Sequence, residues 1–260
     1  SFIFEINGMD YIYRHPGDGT DSIISRKNEK NSLIKAKEIG IDPTYIYADI
    51  NEGWKISVFI SEFREPDYNS FKDSKKIISV LRKLHGSGIK VDYGMDPWKD
   101  SLKIEKLLRK KAPECFEKNE KLKRKIELLY KKTAGDGVEK CFCHGDTYKS
   151  NWMIKPDGNV ILIDWEYSGY SDPGIDVGYY IVDAMYDFDE AERFIREYLQ
   201  DSYTEKRYYH FWAYTAIIAY YWYVWALYRE SCGAVMGDAL INWRDMAEKY
   251  ADHILDCEGE

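Results

Sequence analysis

The stretch Cys141-Phe142-Cys143-His144-Gly145-Asp146-Thr147-Tyr148-Lys149-Ser150-Asn151-Trp152-Met153-Ile154, continued by Lys155-Pro156-Asp157-Gly158-Asn159 and Val160-Ile161-Leu162-Ile163-Asp164-Trp165-Glu166, decides how the chain reads. Asp157-Gly158 lies between two apolar runs, which is a β-hairpin signal. A two-residue loop would set Asn151 opposite Asp164, with Cβ atoms about 4.5–5.5 Å apart. A longer loop would shift that register by about one residue. In the two-residue register an amide oxygen and a carboxylate converge at the open end of the hairpin, a hard-oxygen pair suited to Mg²⁺.

Asp146 precedes Asn151 by five residues, in the loop entering the hairpin. A carboxylate there can accept a proton from an attacking hydroxyl. The spacing His-x-Asp-x-x-x-x-Asn, followed by an Asp at a strand end, matches the parts that phosphoryl transfer needs. One Asp orients the nucleophile, while the Asn and the second Asp hold the metal that bridges the nucleotide phosphates. His144 reads as a structural hydrogen-bonding residue.

Outward from this centre the chain has two textures. Phe2–Ile6 and Tyr11–Arg14 flank Asn7-Gly8 as a first hairpin, a helix follows over Ser25–Ile39, and Tyr45–Asp49 and Lys55–Ile60 read as strands. Beyond residue 62 helices dominate, over 71–85, 99–111, 117–132, 174–185, 189–200, 204–230 and 237–255. The predicted division is a small β-rich part over 1–62 and a larger helical part over 63–260.

The 260 residues carry a formal charge of −8, which argues against a nucleic-acid partner, because phosphate neutralisation needs a basic face. An acidic surface tolerates a cationic substrate. Five cysteines, an odd number without a Cys-x-x-Cys pair, argue against a zinc or disulfide framework and for reduced thiols. No secretory signal is visible, so the expected location is the cytoplasm. The uncharged run Phe211–Tyr228 has 18 residues, nine of them aromatic. That composition suits a buried or cleft-lining helix rather than a membrane span.

The motif His144 to Asn151, with Ile163-Asp164-Trp165-Glu166-Tyr167, resembles the catalytic and metal-binding segments of aminoglycoside phosphotransferases and choline kinases. Ser168-Gly169-Tyr170-Ser171-Asp172-Pro173-Gly174-Ile175-Asp176, Tyr11-Ile12-Tyr13-Arg14-His15-Pro16-Gly17 and Arg26-Lys27-Asn28-Glu29 resemble the bacterial, LicA-type choline kinases specifically. The resemblance extends over nearly the whole chain. It implies an α+β, bilobal, protein-kinase-like fold, with a small antiparallel N-lobe and a larger helical C-lobe. It also implies ATP as co-substrate, Mg²⁺ as cofactor, Asp146 as catalytic residue, and Asn151 and Asp164 as metal ligands.

Further roles come from the resemblance alone. Arg14 would contact nucleotide phosphates and pair with Glu29, the backbone of Val58-Phe59-Ile60 would meet adenine, and Asp176 would brace the catalytic loop. The family's glycine-rich loop has no counterpart ahead of Ser1-Phe2-Ile3, and the expectation is a trimmed N-terminus rather than the lack of a phosphate-covering element.

The acceptor is expected to be choline. Trp222 and Trp225 are three apart on a helix and share a face, and tryptophan faces attract quaternary ammonium groups. The resemblance places Trp222, Trp225 and Asp183 at the choline site, Phe188 where a tyrosine is common, and Trp243 as stand-in for a cage tyrosine lacking near Ala239. By spacing alone, these aromatics suit a packed core better than a cage; the resemblance tips the reading toward the cage. The competing expectations are a kinase for ethanolamine, an aminoglycoside or another amino alcohol, and a catalytically silent nucleotide-binding protein.

Overall fold

The computed structural model describes residues 1–16, 24–113 and 119–257. Gly17, Cys115 and the expected helix start at Glu117 lie outside the described residues, as does the side chain of Cys257.

The Asn7-Gly8 signal forms the turn it predicts. Asn7 (φ 53°) and Gly8 (φ 76°) both take the left-handed conformation that a type I′ turn requires, and Ile6 pairs with Met9 across it. The hairpin of β1 (Phe2–Ile6) and β2 (Met9–Arg14) joins β3 (Tyr45–Ala48) and β4 (Lys55–Val58) in an antiparallel sheet of order β1-β2-β4-β3. Helix α1 (Arg26–Glu38) begins where the Ser25 side chain accepts from the Asn28 N–H. Helix α2 (Phe71–His85) buries Ile77, Ile78, Leu81 and Leu84 on one stripe, the spacing that predicted it.

Contacts group the chain into two compact units that do not follow the expected boundary at residue 62. The first comprises 1–94 with 141–170, and the second 95–140 with 171–260. The physical reason is that the catalytic stretch returns to the early sequence. Arg64 and Ile154 exchange backbone hydrogen bonds of 2.8 and 2.9 Å, and α2 packs on β5 (Cys141–Cys143) and on β7 (Val160–Leu162). Strand β5 itself pairs with β8 (Gly169–Ser171).

The hairpin of β6 (Trp152–Ile154) and β7 takes the longer of the two loops considered from the sequence. Lys155 N–H donates to the Asn159 carbonyl at 2.9 Å, Gly158 N–H donates back to Lys155 at 2.9 Å, and Gly158 adopts φ 87°. Pro156, Asp157 and Gly158 therefore make a three-residue loop. The ladder pairs Trp152 with Leu162, and the Ile163 N–H donates to the Asn151 carbonyl at 3.0 Å. Asn151 thus faces Ile163 rather than Asp164, which corrects the two-residue register. Asp164 leaves the ladder at φ 71°.

The second unit is helical: α3 (Pro97–Lys111), α4 (Glu120–Thr133), α5 (Gly174–Asp183), α6 (Phe188–Leu199), α7 (Glu205–Ser231) and α8 (Asp238–Cys257). Helix α7 packs against α3, α4, α5, α6 and α8, which is why its sequence is apolar around most of its circumference. Its tyrosines carry hydrogen bonds inward, Tyr220 Oη to Glu105 at 2.7 Å and Tyr223 Oη to Asn119 Oδ1 at 2.8 Å. A Cβ on Gly178 would lie 3.1 Å from the α7 backbone at Thr215, so glycine is what lets α5 approach α7 this closely. The run expected to be a buried helix is one, and among the described residues no helix is long and apolar enough to cross a membrane.

Candidate active site

The catalytic loop is built around a fully buried histidine. His144 Nε2–H donates to the Ile163 carbonyl at 2.9 Å, and its Nδ1 accepts from the Asp146 N–H at 3.2 Å. The ring stands edge-on to Trp165 at 4.7 Å. One imidazole thereby holds the loop bearing Asp146 to the strand end that precedes Asp164.

Gly145 makes that fold possible. It sits at φ 83°, and a Cβ there would lie 2.5 Å from the Tyr167 carbonyl oxygen. Gly145→Ala is expected to displace the loop and lower stability by about 1–3 kcal/mol, the usual range for backbone strain of this kind. Thermal unfolding with parallel turnover measurements checks this. Wild-type values for both would show that the loop accommodates the side chain.

Asn151 is buried, and its Nδ2 donates both to the Asp146 carbonyl and to Asp146 Oδ2, each at 2.9 Å. The amide nitrogen is committed to orienting Asp146, so Oδ1 is the side-chain atom that Asn151 offers to another partner. Trp152 Nε1 completes the loop by donating to the Thr147 carbonyl at 3.0 Å.

Asp164 lies among cations. Its Oδ2 accepts from Arg14 Nη1 at 2.7 Å and its Oδ1 from Lys55 Nζ at 3.2 Å. Lys55 also reaches Glu29 Oε1 at 2.7 Å, and Arg26 reaches Glu29 Oε2 at 3.0 Å and Glu166 at 3.9 Å. Arg14, Arg26 and Lys55 thus form a continuous chain of ion pairs with Asp164, Glu29 and Glu166. Burial alone would raise the Asp164 carboxyl, but the charges of Lys55 and Arg14 outweigh it and hold the group at about 2. Burial and the neighbouring Asp164 charge push Glu166 the other way, up to about 7.

Lys55 was missed in the sequence, and the expected Arg14–Glu29 pair is corrected: Glu29 holds Lys55 and Arg26 instead. The cause is the sheet register. Arg14 and Lys55 are direct cross-strand partners of β2 and β4. Like charges opposite one another are unfavourable, and here the Asp164 carboxylate accepts from both.

The donor set of Asp164 and Asn151 suits a hard divalent cation such as Mg²⁺. Both are oxygen donors, Asp164 stays ionised across the physiological range, and its oxygens keep lone pairs beyond those used by Arg14 and Lys55. Carboxylate oxygens of Glu29, Asp164 and Glu166 also come within 4.8 Å of one another.

Of the three expected adenine-contacting residues, Val58 ends β4, with Phe59 and Ile60 following. The Val58 N–H donates to the Thr44 carbonyl at 2.8 Å and the Phe59 N–H to the Asp10 carbonyl at 2.9 Å. These two amides are committed within the sheet. An adenine contact would then fall to the Ile60 backbone and to the carbonyls of the segment.

In the helical unit, Trp222 stands edge-on to Trp225 at 5.3 Å, lies 5.9 Å from Trp243 on α8 and meets Tyr179 on α5 at 5.0 Å. All three tryptophans are half-buried. Trp222 Nε1 is buried with no hydrogen-bond partner among the described residues. The Arg229 guanidinium lies 5.6 Å from the centre of the Trp225 ring, so this ring already attracts a cation. Asp183 ends α5 one turn beyond Tyr179, on the face that carries Tyr179 to Trp222.

Phe188 packs elsewhere, stacked on His253 at 4.5 Å and near Trp212 and Tyr250, with Lys249 Nζ 4.3 Å from its ring centre. The structure brings Trp222, Trp225 and Trp243 together and adds Tyr179, which the sequence did not single out. It places Phe188 in a separate aromatic group. Asp176 is fully buried in the first turn of α5.

Comparison with known proteins gives the family and the fold. The profile described as phosphotransferase enzyme family matches residues 69–213. Protein LicA of Haemophilus influenzae (strain ATCC 51907 / DSM 11121 / KW20 / Rd) is 20% identical over 263 residues, covering 97% of this chain and 97% of that protein. The crystal structure of choline kinase LicA from Streptococcus pneumoniae superimposes with a TM-score of 0.82 at 27% identity, covering 96% of this chain and 89% of that one. A LicA structure in complex with AMP gives a TM-score of 0.79 at 26% identity, covering 97% of this chain and 87% of that one.

Proposed function

The chain belongs to the phosphotransferase enzyme family, and from that premise we propose that it is a choline kinase, transferring the γ-phosphoryl group of ATP to the hydroxyl of choline to give phosphocholine and ADP. The observation that carries this reading is the oriented Asp146 carboxylate, held by the Asn151 amide at 2.9 Å, in a loop that His144 fixes to the Ile163 carbonyl, one residue before Asp164.

Asp146 accepts the proton of the acceptor hydroxyl as its oxygen bonds to the γ-phosphorus. The bond between that phosphorus and the β,γ-bridging oxygen breaks, and ADP carries away the electron pair. Asn151 is a positioning residue for Asp146 and, with Asp164, would hold Mg²⁺, which when bound supplies positive charge to the phosphate oxygens. Arg14 and Lys55 balance Asp164 in the structure and would turn part of their charge to the phosphates. Ile60 would contribute backbone contacts to adenine.

Trp222, Trp225, Trp243 and Tyr179 present aromatic faces, and Asp183 a carboxylate, to the trimethylammonium group. Three methyl groups remove every N–H from that cation, so ring faces suit it better than a carboxylate alone. LicA of Streptococcus pneumoniae, named a choline kinase, supports this acceptor.

A panel of choline, ethanolamine and an aminoglycoside, with ADP release followed by a coupled assay, tests the acceptor. A desolvated cation–π contact contributes about 2 kcal/mol, roughly a thirtyfold change in affinity. Trp225→Ala is therefore expected to raise the choline KM by at least about tenfold while leaving the ATP KM unchanged. Ethanolamine, whose ammonium can donate hydrogen bonds, should lose less. Equal losses for both acceptors, or no loss, would return Trp225 to the packed core.

A further inference from the structure

Away from the catalytic carboxylates, the first unit brings together His85, Cys141 and Cys143. Strand β5 alternates its side chains, so Cys141 and Cys143 share one face while Phe142 takes the other, stacked on Trp165 at 5.8 Å. The two sulfurs lie 3.6 Å apart. His85 is the last residue of α2, which packs on β5, and one of its ring nitrogens and both sulfurs fall within 4.8 Å of one another.

These distances suit a metal better than a disulfide. Two thiolates on one tetrahedral zinc, each about 2.3 Å from it, stand about 3.8 Å apart. Residues two apart on a strand have Cα atoms about 6.6–6.8 Å apart, at the upper limit of what a disulfide spans. The donor set of two sulfurs and one imidazole is soft, which selects zinc over magnesium or calcium. Cys143 is almost fully buried, while Cys141 and His85 are half-buried, so an ion has a route in.

We propose that His85, Cys141 and Cys143 form a binding site for a thiophilic divalent cation, Zn²⁺ in the first instance. Three protein donors leave one tetrahedral position for water or a further ligand. The ion would tie the C-terminal end of α2 to β5. Cys143 is three residues ahead of Asp146, so the tie fixes the strand from which the catalytic loop departs. The spacing Cys-x-Cys gave no zinc signal in the sequence, because the third donor comes from a helix 56 residues before Cys141.

The test uses the reduced 260-residue chain with Co²⁺ and Zn²⁺ alone. Co²⁺ should develop a thiolate-to-metal charge-transfer band together with the visible bands of a tetrahedral site. Zn²⁺ should abolish both. Loss of a residue that only orients a metal ligand already costs about 10–100-fold in metal affinity. Direct ligands should cost at least that, so Cys141→Ser and His85→Gln should each weaken Zn²⁺ binding by about tenfold or more in competition with a chromophoric chelator. Cys143→Ser should do the same. Because Cys143 is buried, circular dichroism checks that variant, and the half-buried Cys141 and His85 carry the conclusion if it does not fold. Cys232→Ser, at the exposed end of α7, should keep the band. Absence of the band in the wild type would overturn the site, as would its persistence in Cys141→Ser or unchanged Zn²⁺ affinity in His85→Gln.

Discussion

Asp146→Asn is expected to lower kcat by about 10²–10⁴-fold, the usual contribution of a positioned general base, with nucleotide affinity nearly unchanged. The substitution is shape-conserving. An Asn side chain keeps an oxygen that can accept from Asn151 Nδ2, and the backbone amide of residue 146 still donates to His144 Nδ1. The loop therefore keeps its geometry, and what is lost is the capacity to take a proton. Steady-state kinetics paired with equilibrium nucleotide binding separates these effects. Turnover within about threefold of wild type would remove Asp146 from the proton transfer.

Asp164→Asn should have the second large effect, on metal dependence and on stability together. Asn tolerates the left-handed φ of 71° at this position, so backbone strain is not the variable. Removing the charge leaves Arg14 and Lys55 facing one another across β2 and β4 without the carboxylate that accepts from both. The Mg²⁺ dependence of nucleotide binding should be lost, because one of two proposed oxygen ligands has become a neutral amide. The carboxyl is lowered from 3.8 to about 2 in the folded protein, which corresponds to about 2–3 kcal/mol of stability. That contribution is fully present above the unfolded-state value near pH 4 and is lost as the pH falls toward 2. At neutral pH the variant should melt lower by on the order of 10 °C, and its deficit relative to wild type should shrink through the acid range. A deficit independent of pH between about 5 and 2 would mean that the Asp164 charge is not what the cations stabilise.

Much of the frame was legible because it is local. The Asn7-Gly8 turn and the α2 stripe of Ile77, Ile78, Leu81 and Leu84 are both decided within a few residues of themselves. What escaped depends on contacts distant in sequence. Lys55 becomes a site residue only because β4 lies beside β2, and nothing near Lys55 announces the Arg14 opposite it. Glu29 was given the wrong cation for the same reason.

The β6–β7 register turned on whether Pro156 belongs to the loop, a one-residue difference that moved Asn151 from Asp164 to Ile163. Tyr179 was hidden in an apolar helix and gains meaning from the close packing of α5 on α7 permitted by Gly178. Phe188 has the right residue type at a plausible position, yet its ring belongs to the group of Trp212, Tyr250 and His253.

The most direct test of the central claim is product identification. The chain is incubated with ATP, Mg²⁺ and choline, and the phosphorus NMR spectrum is followed alongside ADP release. Growth of a phosphocholine resonance, one for one with ADP and absent in Asp146→Asn, is the expected result. Retained nucleotide binding with no phosphorylated product from choline, ethanolamine or an aminoglycoside would contradict it.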